Sequence, residues 1–243
     1  MVLHFVAEEA ASAQPGDTLV LAGSEAHHAA TVRRLRAGEH VTVGDGRGAW
    51  LEGVCEAAAA REVVVAVRQR RDVPAPTSRL VLVQALAKGD RDELAIQAAT
   101  ELGVDGIVPW QAARSISRWE GPKREKGLAR WRTIAREAGK QAHRAWLPEV
   151  EPIAGTADIV KRAAQSRVLV LEPTADEPLT RIDAGDRAET LLVVGPEGGI
   201  APEELAALAA AGARSVRLGD TVLRTSTAGP AAIAVMSARL GRW

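Results

Sequence analysis

A single cysteine, Cys55, stands among the 243 residues of the chain. One thiol can form neither an intramolecular disulfide nor a cysteine metal site, which fits a reducing cytosol and argues against a secreted, stapled scaffold. Cys55 is read as a small buried side chain on a strand. No window approaches the ~20 apolar residues of a membrane span, and the N-terminal stretch lacks a basic region leading into an apolar core and a small-residue cleavage site. The expectation is a cytoplasmic protein that neither crosses a membrane nor is exported. Metal-ligand spacings such as His-Glu-x-x-His are missing around His27, His28, Asp45 and His143, so no metal is expected. A Gly-x-Ser-x-Gly elbow is also missing, which argues against covalent catalysis. Net charge is missing too, because 31 Lys and Arg balance 31 Asp and Glu, and the total points to no partner.

What is present is unevenly placed. Arg114, Arg118, Lys123, Arg124, Lys126, Arg130, Arg132, Arg136, Lys140 and Arg144 face only Glu120, Glu125 and Glu137, a local basic stretch inside a neutral chain. Trp119, Trp131 and Trp146 interleave with it. Cationic side chains can contact RNA phosphates and an aromatic can offer a stacking surface, whereas spacing such as Trp131 with Ile134 suits a helix core. A second small patch is Arg33, Arg34 and Arg36.

The first seventy or so residues carry short strand-like runs at 18–21, 40–43, 49–54 and 62–67, with Gly44-Asp45-Gly46-Arg47-Gly48 as a hairpin turn. One helix is expected over 25–35, with Ser24 as its N-cap. A small, mostly antiparallel barrel or sandwich follows from this pattern. The two prolines in Asp72-Val73-Pro74-Ala75-Pro76-Thr77-Ser78 then break every period and mark a domain boundary. Beyond it strand and helix alternate: strands at 80–85, 106–109, 167–171, 191–194 and 215–218, and helices at 92–102, 126–142, 202–211 and 229–240. Alternation of this kind predicts an α/β domain with a mostly parallel sheet covered on both faces.

Leu191-Leu192-Val193-Val194 runs into Gly195-Pro196-Glu197-Gly198-Gly199 and then into a helix, the place where an open α/β sheet usually binds its ligand. The loop has neither a Gly-Lys-Ser/Thr ending nor Gly-x-Gly-x-x-Gly spacing, so a nucleoside ligand held without a phosphate clamp is the better reading. A tight turn with no ligand stays open at this point. Close backbone approach of a ligand at Gly198 is expected, because glycine puts no Cβ in the way. A second glycine loop, Leu218-Gly219-Asp220, precedes Leu223-Arg224-Thr225.

These two loops, with Gln84-Ala85-Leu86-Ala87-Lys88-Gly89-Asp90-Arg91, Ala99-Thr100-Glu101-Leu102-Gly103-Val104, and Gln141 and Arg144 ahead of Pro148-Glu149-Val150, resemble the RsmE family of ribosomal RNA methyltransferases in the SPOUT, or trefoil-knot, class. His28, Val32, Arg34 and Gly38 are similar to its first domain, and the resemblance covers nearly the whole chain. It implies a PUA-like β-barrel RNA-binding domain over 1–73 and a SPOUT methyltransferase domain with a C-terminal trefoil knot over 79–243. The activity it implies is methylation of N3 of a uridine in 16S ribosomal RNA, with the RNA within the assembled small subunit as partner and S-adenosyl-L-methionine as methyl donor.

By the same resemblance the donor would lie among Leu171 and Glu172, then Val194, Gly195, Pro196, Glu197, Gly198 and Gly199, then Leu218, Gly219, Leu223, Arg224 and Thr225. Glu197 is the candidate base and Arg224 the candidate stabiliser of the imide anion. RNA would meet Arg34, Lys88, Arg91, Arg114, Gln141 and Arg144. A homodimer is implied, with the final helix near Met236 at its interface. The chain departs from the family pattern at Ser226, Lys140 and Ala112-Ala113, where acids or a serine are usual, and Ala201 is a poor helix N-cap. Two other readings are a SPOUT enzyme with another RNA target, such as a ribose 2′-hydroxyl of transfer RNA, and a ribosome-associated RNA-binding protein without catalysis.

Overall fold

Apolar residues at every second position give the N-terminal part of the chain strands with one buried face. The computed structural model describes residues 2–183 and 188–243. In it β1 (Leu3–Val6), β2 (Thr18–Ala22), β3 (His40–Gly44), β4 (Ala49–Ala59) and β5 (Glu62–Asp72) form one sheet in the order β1-β3-β4-β5-β2. β1 runs parallel to β3 and the remaining pairs are antiparallel. Phe5, Leu21, Val41, Leu51, Val65 and Cys55 are buried together in its core, which is the place expected for the thiol. At the β3–β4 turn the Asp45 carboxylate accepts from the amides of Arg47 at 2.7 Å and Ala49 at 3.0 Å, the local bonding that makes Asp a turn residue.

The expected helix over 25–35 differs in detail. α1 (Gly23–His27) follows Ala22 as its N-cap and continues as a π turn over His28–Val32. Ser24 lies inside the helix and caps nothing. β1 was not expected, since four residues interrupted by His4 are too short to establish a period.

The chain divides into two units, Met1–Ala75 with Gly139–Leu147, and Pro76–Ala138 with Pro148–Trp243. The first break falls inside the proline segment. The continuous second domain expected over 79–243 is interrupted, because 139–147 packs with the N-terminal sheet. Leu147 N donates to Gly46 O at 2.9 Å, Gly48 N to Ala145 O at 3.0 Å, and Trp146 Nε1 to Val73 O at 2.9 Å. No sequence period could announce these bonds, which join residues far apart in the chain.

The second unit holds β6 (Arg79–Ala85), α2 (Arg91–Glu101), β7 (Gly106–Trp110), α3 (Pro122–Gln141, whose last residues count with the first unit), β8 (Glu149–Val150), α4 (Thr156–Arg162), β9 (Arg167–Leu171), β10 (Glu189–Val194), α5 (Pro202–Ala210), β11 (Arg214–Val216) and α6 (Thr225–Arg239). The strands form one parallel sheet in the order β11-β9-β10-β6-β7-β8. Successive residues feed opposite faces. Leu80, Leu82, Leu192 and Val194 join residues of α2, α3 and α6, while Val81, Val83, Leu191 and Val193 join Ile159 of α4 and Leu208 of α5. Burial on both faces explains why these strands read as unbroken apolar runs.

The start of the last helix differs from the expectation. α6 begins at Thr225 rather than Gly229, with Pro230 inside its second turn. A proline there costs ~3 kcal/mol in an isolated helix, which is why the sequence favours a later start; burial of Ile233 and Met236 offsets it. Met236 is fully buried in this chain's own core, so an interface on the final helix would rest on its other residues. Trp131 is core, as its spacing with Ile134 suggests, and the half-buried Trp119 packs against it edge-on with ring centroids 5.1 Å apart.

Candidate functional site

The carboxyl ends of the adjacent strands β11, β9 and β10 open onto one cavity of about 440 Å³, within the range of small-molecule sites. Leu171 and Glu172 line it from the end of β9, and Val194, Gly195, Pro196, Glu197 and Gly199 from the end of β10. Leu218, Leu223, Arg224 and Thr225 line it from the segment that leads into α6. Two expected residues, Gly198 and Gly219, lie outside this lining. A Cβ on Gly198 would meet Arg114 Cβ at 3.6 Å, an ordinary contact within the chain. The glycines that are constrained are its neighbours. A Cβ on Gly195 would come within 2.7 Å of Ile200 Cγ1, and Gly199 has a φ of +71°, a left-handed conformation that favours glycine.

The loop is held from several sides. The Gly195 carbonyl accepts the Thr225 hydroxyl at 2.9 Å, and Thr225 Oγ1 in turn accepts from Gln84 Nε2 at 2.9 Å. Gly198 O accepts from Arg114 Nη1 at 3.1 Å. After the loop, Ala201 caps α5 without a side-chain acceptor, as expected, yet the Ala201 amide is not abandoned. Glu204, three residues on, accepts it at 3.3 Å and also takes the Ala113 amide at 3.0 Å and the Thr156 hydroxyl at 2.5 Å. Ala113 is therefore tied to Glu204 through its backbone.

Glu197 Oε1 accepts from Lys88 N and from Arg91 Nη1, each at 3.1 Å. Burial pushes its carboxyl up, but the amides of Glu197 and Lys88 and the Arg91 guanidinium outweigh that and leave it below the usual carboxylate range. Arg91 lines the cavity as well. Its neighbour Asp92 is buried and accepts from Ala87 N at 3.2 Å and Glu93 N at 2.8 Å, and burial raises its pKa to about 6. Asp92 thus ties down the Lys88–Arg91 turn. Arg224, the N-cap of α6, is exposed and its guanidinium has no hydrogen bond or ion pair among the described residues. Among the described residues the carboxylates on the cavity wall are Glu172 and Glu197, and Ser226 lies outside its lining.

Of the residues expected to meet RNA, Lys88, Arg91 and Arg114 gather around Glu197 and Gly198. Arg34, Gln141 and Arg144 fall in the other unit, Arg34 exposed with a φ of +55° and Gln141 exposed at the end of α3. Part of the basic stretch is spoken for. Arg130 makes a two-pronged pair with Glu93, with Nη2 at 2.7 Å, and Lys140 pairs with Glu25 at 2.9 Å in a buried setting. Among the described residues there is no cluster of three His, Cys, Asp or Glu able to hold a metal ion, and no helix is long and apolar enough to cross a membrane. Sequence reasoning missed Ile200, Arg217 and Ala228 in the cavity wall and the buried roles of Gln84 and Asp92.

Residues 74–237 match the family described as RNA methyltransferase domain, and residues 21–67 match the RNA methyltransferase PUA domain. The chain is 46% identical over 233 residues to ribosomal RNA small subunit methyltransferase E of Mycobacterium bovis, covering 94% of this chain and 89% of that one. The protein of the same name from Bacillus subtilis is 27% identical over 251 residues, covering 98% and 96%. Among solved structures, ribosomal RNA small subunit methyltransferase E from Neisseria gonorrhoeae, bound to S-adenosyl methionine, superposes with a TM-score of 0.88 at 29% identity, covering 98% of each chain.

Proposed function

The chain belongs to the ribosomal RNA small subunit methyltransferase E family, and from that premise we propose that it methylates N3 of a uridine in 16S ribosomal RNA with S-adenosylmethionine as donor. The observation that carries the reading is the cavity at the ends of β9, β10 and β11, apolar along Leu171, Leu218 and Leu223 and lined also by Arg224, which is unpaired among the described residues. Its residues fit this donor. Apolar side chains suit adenine, the loop backbone at Gly195 and Pro196 and the Glu172 carboxylate offer polar partners, and the glycine loop has no Gly-Lys-Ser/Thr phosphate cradle. S-adenosylmethionine supplies a methyl group on a sulfonium, open to in-line attack.

The remaining demands fall on the protein's own side chains. An imide nitrogen is a poor nucleophile while protonated, so a group must favour its anion. We assign that to Arg224, whose guanidinium makes no ion pair among the described residues and can stabilise charge as it develops. Glu197 was the candidate base, but its lowered pKa and two donors suit it better to holding Lys88 and Arg91 at the cavity mouth. Lys88, Arg91 and Arg114 would meet RNA phosphates from this unit, and Arg34, Gln141 and Arg144 from the PUA-like one. The trefoil knot, a homodimer and the assembled subunit as substrate belong to the same reading. The strand order, with β10 between β9 and β6, supports the knotted class.

Mass-spectrometric mapping of ribosomal RNA with and without the protein tests this reading. A 3-methyluridine in 16S ribosomal RNA that appears only with the protein is the expected result. Methylation of a ribose, or of transfer RNA, would replace the target; failure to bind S-adenosylmethionine by calorimetry would overturn the enzyme.

A further inference from the structure

Gln84 is fully buried near the end of β6 and does not line the cavity, yet it is polar in an otherwise apolar run, Leu80–Ala85. Its two amide protons are both engaged, one by Ala85 O at 3.1 Å and one by Thr225 Oγ1 at 2.9 Å. We propose that Gln84 is a positioning residue for the donor cavity, fixing the Thr225 hydroxyl so that it donates to the Gly195 carbonyl and locks the two loops together. This assignment rests on the donor site proposed above.

The direction of the bonds follows from counting donors. Ala85 O can only accept, so it must face the amide nitrogen of Gln84 and not its oxygen. That orientation turns the second N–H onto Thr225 Oγ1. A hydroxyl has one proton, and with a donor already on its oxygen that proton is left for Gly195 O, 2.9 Å away. A reversed amide would place acceptor against acceptor at Ala85 and draw the Thr225 proton off Gly195. The chain Ala85, Gln84, Thr225, Gly195 therefore has one polarity. It joins the first residue of the loop after β10 to the first residue of α6, directly after the N-cap Arg224.

The test compares Gln84→Met, Thr225→Val, the double variant and Thr225→Ser, reading S-adenosylmethionine affinity by calorimetry and the split between KM for the donor and kcat. Gln84→Met and Thr225→Val are each expected to weaken affinity about tenfold or more, mainly through KM. The double variant should be no weaker than Thr225→Val alone, because Gln84 acts through that hydroxyl. Thr225→Ser should restore most of what Thr225→Val loses. Additive losses, wild-type affinity in Gln84→Met, or no rescue by serine would each overturn the assignment. If Thr225→Val fails to fold, Gln84→Met against wild type and Thr225→Ser decides the matter. Absence of donor binding by the wild-type protein overturns the reading of the cavity itself, an outcome distinct from donor binding that Gln84→Met retains.

Discussion

The Arg91 guanidinium donates to the Glu197 carboxylate at 3.1 Å, joining the start of α2 to the glycine loop after β10. This pair decides between two roles for Glu197. A carboxylate held below its usual pKa is a weaker base, since efficient general bases are tuned toward the working pH.

Glu197→Gln keeps the side chain's shape and removes its charge. If Glu197 holds the loop, the loss is that of a partly exposed ion pair, ~0.2–1 kcal/mol, and kcat should fall less than about tenfold with the pH–rate profile unmoved. Loss of a general base would cost roughly 10²–10⁴ and remove the acid limb of the profile. Single-turnover methyl transfer measured from pH 6 to 9 separates the two, and a fall of that larger size returns Glu197 to the chemistry.

Arg224 should behave in the opposite way. Removing one preorganised donor that stabilises developing charge typically costs about 10²–10³ in kcat. Arg224→Ala is therefore expected to lose that much in turnover while retaining donor affinity within a few-fold and the melting temperature of the parent. A variant whose kcat is unchanged would release Arg224 from this role.

The alternation of strands and helices and the glycine loop were legible because both follow from local rules: apolar runs buried on two faces, and turns that need glycine. The site was legible in part. Leu171, Gly195 and Leu223 lie at strand ends or loops that periodicity locates, whereas Gln84 and Asp92 look like ordinary members of a strand and a helix until Thr225 and Ala87 are brought to them from elsewhere. The same limit hid Gly139–Leu147. Its place depends on bonds to Gly46, Gly48 and Val73, which no period encodes.

Glycine identity within the loop should matter unequally. Gly195→Ala forces Ile200 to shift, because the new Cβ would lie 2.7 Å from its Cγ1, whereas Gly198→Ala adds a methyl at an ordinary 3.6 Å from Arg114 Cβ. Calorimetry should show about tenfold or greater loss of S-adenosylmethionine affinity for the first and little change for the second. The reverse order would move the ligand toward Gly198.

Lys140 is matched by Glu25 at 2.9 Å with only 2% and 10% of the side chains exposed. Breaking a buried pair leaves an uncompensated charge and costs ~3–5 kcal/mol, whereas replacing both members by apolar groups is often near neutral. Lys140→Met should destabilise by about that amount in urea unfolding, and Lys140→Met with Glu25→Leu should recover most of it. If the double variant is as unstable as the single one, the charge was not the reason.

His4 gives the fold a pH dependence whose sign is fixed by burial. It stacks on Trp50 with ring centroids 4.4 Å apart, bonds Thr42 Oγ1 through Nδ1 at 2.9 Å, and has His143 and Lys140 nearby. Burial first, then the charges of His143 and Lys140, lower its pKa from 6.5 to about 4. Between those values the unfolded chain binds the proton and the folded chain does not, so stability is full above pH 6.5 and is lost as pH falls toward 4. At ~1.4 kcal/mol per pH unit the group alone accounts for a loss on the order of 3 kcal/mol across that window. His4→Phe keeps a ring against Trp50 and has nothing to protonate. Urea unfolding at pH 7.5 and pH 4.5 should show a markedly smaller drop for His4→Phe than for the parent, and equal drops would mean that His4 is charged in the fold.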